Sequence, residues 1–209
     1  MTATPAPSRR GRPRRKPEDQ DARKALIRAG LAQLTERGYA SVALEEITAA
    51  AGVTKGSFYH YFPTKAAFGA ALIDAYGSYF EDKLRRAFDR TDLSPLARLT
   101  AFTEEAEAGM ARFDFRRGCL IGNLGQEMGS LPEEFRTRLI AVFERWQSLT
   151  ATCLRAAQAA GEIGPDHDPD ALAELFWTGW EGAVLRTKLQ RNPEPLRRFT
   201  DGFLRLARS

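Results

Sequence analysis

LEEITAAAGVTKGSFYHYF, residues 44–62, holds two short segments separated by a glycine turn. Leu44 and Ile47 lie on the apolar side of the first segment, Gly52 and Val53 form the turn, and Thr54 begins the second. This arrangement predicts a helix-turn-helix, whose second helix can lie in the DNA major groove. The side chains expected to project from the second helix are Thr54, Lys55, Ser57, Tyr59 and His60.

An amphipathic helix is predicted just before this stretch, from Asp19 to Arg37, because apolar residues recur in it at helical spacing. Gly38 is expected to end that helix. Ser41 precedes the next helix, and we expect it to cap that helix together with Glu45. The Ser41 hydroxyl could also reach a DNA phosphate, and its position in the sequence does not decide between the two roles.

The first 17 residues are predicted to form a disordered basic arm. Of the 31 basic residues of the chain, six lie in residues 1–16, which contain no acid; the other 25 stand against all 27 acidic residues. A basic block of this kind is typical of a nucleic-acid-binding arm. Arg10, Arg12 and Arg14, around one glycine and one proline, suit a narrow minor groove. The alternative is a solvated tail that attracts any polyanion.

The remainder of the sequence predicts further helices and no strand, so the fold class is all-α. Pro63 ends the second short helix, and a long helix from Lys65 to about Arg90 is expected to connect a head to a second domain as a rigid lever. We therefore predict a three-helix DNA-binding domain over residues 18–66 and an effector-binding and dimerisation domain over residues 67–209.

Composition and motifs exclude several other classes of protein. Hydrophobic residues make up 43% of the chain, but no apolar run approaches the ~20 residues of a membrane span. Two cysteines form no disulfide framework, so a reduced, cytoplasmic protein is expected. Residues 166–170, DHDPD, lack the length and glycine of a calcium loop. The sequence predicts no metal site, no cofactor and no catalytic residue.

The helix-turn-helix region resembles the TetR family of transcriptional regulators. The resemblance rests on GY at 38–39, VALEEI at 42–47, AGV at 51–53, KGSFYHYF at 55–62 and Lys65. It implies a homodimeric, usually repressing protein that binds double-stranded operator DNA and is released by a small-molecule effector. It also implies that Thr54, Lys55, Gly56 and Tyr59 meet the major groove, while His60 and Lys65 lie near phosphates.

The second half resembles members of this family that regulate acrylate utilisation or sense electrophiles. FRRGCLIGNLGQEM at 115–128 and FWTGWEGA at 176–183 carry this resemblance. Acrylate, its CoA thioester or another electrophile is therefore the expected effector. The candidate effector-binding residues are Arg116, Arg117, Cys119, Asn123, Gln126, Trp177 and Trp180.

Cys119 follows two arginines at a predicted helix start. Nearby cations and a helix N-terminus both favour a thiolate, which would suit an electrophile or redox sensor. The alternative is a small buried apolar residue, the common state of a free cysteine. For Trp177 and Trp180 the alternative is packing in the core or at a dimer interface.

The sequence gives less support to two other classes of function, an enzyme and an architectural DNA-binding protein. An enzyme would need a catalytic constellation, and the two histidines, His60 and His167, have no partner motif in the sequence. An architectural DNA-binding protein would use the basic arm but would leave some 140 residues of helical domain without a role.

Overall fold

The structure, a computed structural model, describes the backbone of residues 17–209 and the side chains of residues 20–209. This part of the chain contains nine α-helices and no strand, which confirms the all-α prediction. Their bounds are α1 Pro17–Arg37, α2 Leu44–Ala51, α3 Lys55–Tyr61, α4 Lys65–Phe88, α5 Pro95–Ala111, α6 Leu120–Gln126, α7 Glu134–Ala159, α8 Pro169–Gln190 and α9 Glu194–Arg208, with a 3₁₀ turn at Met128–Ser130.

Helices α1 to α3 form the head. Gly38 has φ +84° and its N–H donates to the carbonyl of Leu34, so it ends α1 as the sequence predicts. Gly52 has φ +63° and closes α2 in the left-handed conformation. Ile47 of α2 and Phe58 of α3 are fully buried, and this shared core fixes the angle between the two helices.

Helix α4 connects the head to the body. Its 24 residues correspond to a length of ~36 Å. Phe68, near its start, packs against Phe58 and Phe62 of the head. Tyr76, farther along, lies in the body. The same helix therefore belongs to both hydrophobic cores.

Helices α5 to α9 form the body around an aromatic core. Trp146 of α7 and Trp177 of α8 are fully buried, with ring centroids 4.9 Å apart. The indole N–H of Trp177 donates to the hydroxyl of Thr150 over 3.0 Å, so its one polar group is satisfied. Asp168 caps α8 by accepting from the N–H of Asp170, with Pro169 at the first helical position.

Candidate functional site

The recognition helix α3 presents an exposed polar surface. All six residues predicted to face DNA from this helix are exposed in the described protein: Thr54, Lys55, Gly56, Ser57, Tyr59 and His60. Tyr59 is 48% exposed, so packing inside the head does not account for it. A Cβ at Gly56 would meet no atom closer than 3.9 Å, so the surface there is open to an approaching backbone or base.

Thr54 and Ser57 fix the start of α3. The Thr54 hydroxyl accepts from the N–H of Ser57 over 3.1 Å, which satisfies one of the free donors at the helix N-terminus. The two hydroxyls also lie 3.0 Å apart. A contact from Thr54 to a base would therefore compete with its capping bond.

Lys55 is paired with Glu45 of α2, at 2.7 Å between Nζ and Oε1. The carboxylate raises the pKa of Lys55, and the lysine lowers the pKa of Glu45, through this hydrogen bond. Both side chains are more than half exposed. The pair consequently holds Lys55 in place at a modest energy and leaves it accessible to DNA.

The predicted cap of α2 by Ser41 and Glu45 is wrong. Ala43 occupies the N-cap position, and the carboxylate of Glu46 accepts from its N–H over 3.2 Å. Glu46 also pairs with Arg37 of α1. The helix begins two residues later than the cap prediction assumed, so the reciprocal acid is Glu46. Ser41 is exposed, and its contact with phosphate stays a prediction.

Lys65 braces the loop between α1 and α2. Its ammonium donates to the carbonyls of Tyr39 over 3.1 Å and Val42 over 2.7 Å, and it lies 4.5 Å from the Tyr39 ring centroid. Partial burial lowers its pKa. Lys65 thus has internal partners that the sequence did not indicate, and its approach to a phosphate stays a prediction. Arg10, Arg12 and Arg14 lie outside the described residues.

A cavity of about 580 Å³ lies where the head meets the body. Helices α1, α4, α5 and α8 and the loop before α6 form its walls. Most of the lining is apolar, from Leu31, Ala32, Phe80, Met110, Phe113 and Val184. Four basic side chains also reach it: Arg28, Lys83, Arg112 and Arg117. Lys83 is paired with Glu105 at 3.0 Å, and Arg117 lies over the Phe113 ring with its Nε buried and without a hydrogen-bond partner in the described residues.

Two titratable side chains of the cavity wall, Tyr76 and Cys119, meet a third, Glu181, which does not itself line the cavity. The Cys119 thiol faces the Tyr76 hydroxyl and the Glu181 carboxyl. Burial raises the pKa of Glu181 to about 7. One oxygen of the Glu181 carboxyl, Oε1, is buried and has no hydrogen-bond partner in the described residues. The carboxyl packs so closely on α6 that a Cβ at Gly122 would collide with it.

Of the two alternatives for Cys119, the structure favours the small buried residue over the thiolate. Burial raises the pKa of its thiol well above the ordinary value, and the facing Glu181 raises it further. The two preceding arginines do not offset this effect, because Arg116 is exposed and Arg117 turns towards Phe113 and Glu36. Cys153 is also buried, with a pKa raised to about 11.

The structure brings only part of the predicted effector set together. Arg117, Cys119 and Trp180 line the cavity. Arg116 and Gln126 lie in a separate surface groove, and Asn123 donates to the carbonyls of Leu34 and Thr35 at the end of α1. These three candidates lie away from the cavity, and a fourth, Trp177, belongs to the aromatic core and does not line it either.

Several cavity residues were not singled out from the sequence. Arg28, Leu31 and Thr35 belong to the amphipathic helix α1, and Tyr76 and Lys83 belong to α4. Helical spacing predicts that α1 is buried on one side, but it does not separate a wall shared with the body from the core of the head. Glu181, an acid within the apolar run at 176–184, was a usable signal of a buried polar cluster.

Neither a membrane segment nor a metal cluster occurs in the described part of the chain. None of its helices is long and apolar enough to cross a membrane. No group of three or more His, Cys, Asp or Glu side chains among residues 20–209 is arranged to hold a metal ion.

Comparisons with known proteins agree with the helical architecture. Residues 26–72 match the family model described as bacterial regulatory proteins, tetR family, and residues 95–203 match the tetracyclin repressor-like C-terminal domain. The chain is 60% identical to the transcriptional regulator AcuR of Cereibacter sphaeroides, over 96% of this chain and 92% of AcuR.

Two further relatives extend this likeness. The crystal structure of a regulatory protein TetR from Rhodobacter sphaeroides has 62% sequence identity and a TM-score of 0.87, covering 88% of this chain and 98% of that one. The HTH-type transcriptional repressor NemR of Escherichia coli K12 is 26% identical over 85% of this chain and 89% of NemR. The chain therefore belongs to the TetR family of transcriptional regulators, which are DNA-binding proteins and not enzymes.

Proposed function

We propose that this regulator is a repressor that binds a palindromic operator as a homodimer and releases it when a small effector enters the cavity between head and body. The observation that carries the proposal is the position of that cavity. Its walls include α1 of the head together with α4, α5 and α8. A ligand there would contact the DNA-binding unit directly, and its binding energy could differ between two head positions, as allosteric release requires.

The chemistry of the lining favours an effector with an apolar body and an anionic end. Aromatic and aliphatic side chains form most of the wall, and four cations reach it against the single acid of Glu105. Arg117 offers a buried Nε that has no hydrogen-bond partner in the described residues and lies 3.7 Å from the Glu36 carboxylate. A carboxylate is therefore expected to turn towards Arg117. Acrylate, expected from the family resemblance, meets this description.

A covalent alternative rests on Cys119, because this thiol is part of the cavity wall. An electrophile held there would lie next to it. The raised pKa of Cys119 disfavours the thiolate that such a reaction uses. Reversible binding is consequently the main proposal, and a cysteine-based electrophile sensor is the second.

Dimerisation is supported by the outer surfaces of α8 and α9. Large apolar side chains are exposed there in the single chain: Leu175, Leu185, Leu189 and Leu206. Leu189 is 73% exposed. Exposed apolar surface of this extent is typical of an interface. Two heads related by a twofold axis would read half-sites about one DNA turn apart, ~34 Å.

Fluorescence anisotropy tests this proposal. The wild-type protein first selects an operator from a random-sequence DNA library, and the labelled complex is then titrated with sodium acrylate, an acryloyl thioester and sodium propionate. Release by acrylate or its thioester is the expected result. Propionate, which lacks the double bond, shows whether an electrophile is required. An anisotropy that stays constant through millimolar concentrations of all three would contradict the proposal.

A further inference from the structure

Helix α6 and its flanking residues bind the end of α1 through three groups, Gly118, Asn123 and Glu127, which we call the α6 clamp. The N–H of Gly118 donates to the carbonyl of Thr35 over 2.9 Å. The amide of Asn123 donates to the same carbonyl over 3.0 Å and to that of Leu34 over 3.2 Å. The last carbonyls of a helix commonly lack partners within the helix, and the body supplies donors to that of Thr35 here, whereas that of Leu34 also accepts from Gly38.

Glu127 completes the clamp one residue after α6 ends. Its two oxygens each lie 3.1 Å from the N–H of Tyr39, and one accepts from the N–H of Ala40 over 2.9 Å. Hydrogen bonds to a carboxylate are stronger than neutral ones. The carboxylate lies so close to Gly38 that a Cβ there would collide with it, which adds a reason for glycine beyond its positive φ.

The loop held by Glu127 supports the recognition unit. Lys65 holds the carbonyls of Tyr39 and Val42 from the other side, immediately before α2 begins. The Tyr39 ring packs edge-on against Phe135 of α7, with centroids 5.4 Å apart. A displacement of Glu127 would therefore change the anchoring of the loop from which α2 and α3 extend.

The other end of the clamp forms a wall of the cavity. Gly118 and Cys119, at the start of α6, line it on one side. Leu31, Ala32 and Thr35 of α1 line it on another. The cavity thus opens between the two elements that the clamp joins. α6 has only seven residues, a length of ~10 Å, so both of its ends must move together.

We propose that Glu127 is the positioning residue through which the cavity controls the head: a bound effector separates α6 from α1, and the Glu127 bonds to Tyr39 and Ala40 are lost. This inference rests on the proposed function of the cavity. It adds a connection through α6 to the connection through the lever helix α4 that the sequence predicted. In the clamped state the head binds operator, and in the released state the cavity binds its ligand more tightly.

The Glu127→Gln variant tests this scheme, with Glu133→Gln as the matched control. The glutamine side chain keeps the shape of the original one but loses the charge that receives the Tyr39 and Ala40 amides. Glu133 is exposed and pairs only with Arg136 among the described contacts, three residues along at the start of α7. Circular dichroism and gel filtration first establish that both variants fold and dimerise as the wild type does.

Two affinities should then change in opposite directions. Operator affinity, measured by anisotropy without any effector, is expected to fall severalfold in Glu127→Gln. Affinity for anilinonaphthalene sulfonate, an aromatic anion used as the cavity probe, and for sodium acrylate is expected to rise by about tenfold, because the ligand-binding state becomes more populated. The control should keep both wild-type values. A merely structural role would weaken both affinities, and that result would overturn the proposal.

Hydrogen exchange on the wild-type protein needs no variant. The amides of Tyr39 and Ala40 should exchange more slowly in the operator complex and faster when the probe fills the cavity. Equal protection with and without a bound probe would overturn the clamp mechanism. If neither probe binds, the proposed cavity function fails, and the effector-free operator affinity of Glu127→Gln decides the positioning role separately: a wild-type value overturns it.

Discussion

The ammonium of Lys55 lies 2.7 Å from the carboxylate of Glu45, so the cation predicted to read DNA is already paired inside the head. To contact DNA, Lys55 must exchange Glu45 for a base edge or a phosphate. The pair also keeps an acid close to the expected DNA surface, where it opposes nonspecific binding to phosphates.

Lys55→Ala is expected to weaken binding to the selected operator by about tenfold, because a lysine contact to guanine N7 or O6 is lost. Binding to a scrambled duplex should change much less. Anisotropy with both duplexes at one salt concentration measures the difference. An equal loss on both would indicate a phosphate contact and contradict base reading by Lys55.

Glu45→Gln is expected to act in the other direction. It removes a negative charge facing the DNA and frees Lys55, so affinity for the scrambled duplex should rise severalfold and the specificity ratio should fall. Glu133→Gln provides the control, since Glu133 lies immediately before α7, away from the recognition helix. An unchanged specificity ratio in Glu45→Gln would show that the pair has no part in discrimination.

Removal of residues 1–16 should flatten the salt dependence of operator binding. This segment carries six basic residues and no acid. Each phosphate contact contributes a slope of ~0.9 to the plot of log affinity against log salt. Removal of residues 1–8, which contain no basic residue, is the matched control. If the longer truncation keeps the slope of the control, the arm does not bind DNA.

Glu181 should make stability depend on pH. Burial raises its pKa from 4.5 to about 7 in the folded protein, where it faces the Cys119 thiol and the Tyr76 hydroxyl. The folded state therefore holds the proton more tightly than the unfolded chain. The free energy of unfolding should fall as the pH rises from about 4.5 to about 7, and this contribution should be constant above that range.

Glu181→Gln removes this dependence. Relative to wild type, the variant should gain at most ~3 kcal/mol between pH 5 and pH 8, as measured by urea unfolding at one fixed protein concentration. Glu174→Gln, an exposed site on the same helix, should show no such gain. If the wild-type and Glu181→Gln curves run parallel across this range, the Glu181 carboxyl does not titrate as described.

Local sequence rules predicted the fold well because the helix ends are fixed by residues that act on their own helices. Gly38, Gly52 and Asp168 act within a few residues of their own helices, so their types reveal their roles. The contacts that join the body to the head beside the cavity were harder to predict. Asn123 and Glu127 reach back 87 to 89 residues to the end of α1 and the loop after it, and sequence spacing carries no information about such a contact.

The thiolate alternative for Cys119 is disfavoured for a related reason. The sequence places Arg116 and Arg117 beside Cys119, but proximity along the chain is not proximity between charges. In the folded protein the group facing the thiol is Glu181, 62 residues later. Burial and that acid outweigh the effect of the helix N-terminus. The pKa of Cys119 is therefore raised, whereas the neighbouring sequence alone favours a lowered value.

The most direct test of an effector cavity at this position is a variant that fills it. Gly109 of α5 lines the cavity, and a Cβ added there meets no atom within 4 Å, so Gly109→Trp can enter the space without disturbing the backbone. Gly109→Ala controls for helix propensity, and Ala108→Trp places the same bulk at an exposed neighbouring position.

The decisive measurement is the acrylate concentration that releases half of the labelled operator from each of these proteins. We expect similar acrylate concentrations for wild type, Gly109→Ala and Ala108→Trp. For Gly109→Trp we expect a concentration more than tenfold higher, or no release. Release of operator from Gly109→Trp at the wild-type acrylate concentration would contradict the claim that this cavity receives the effector.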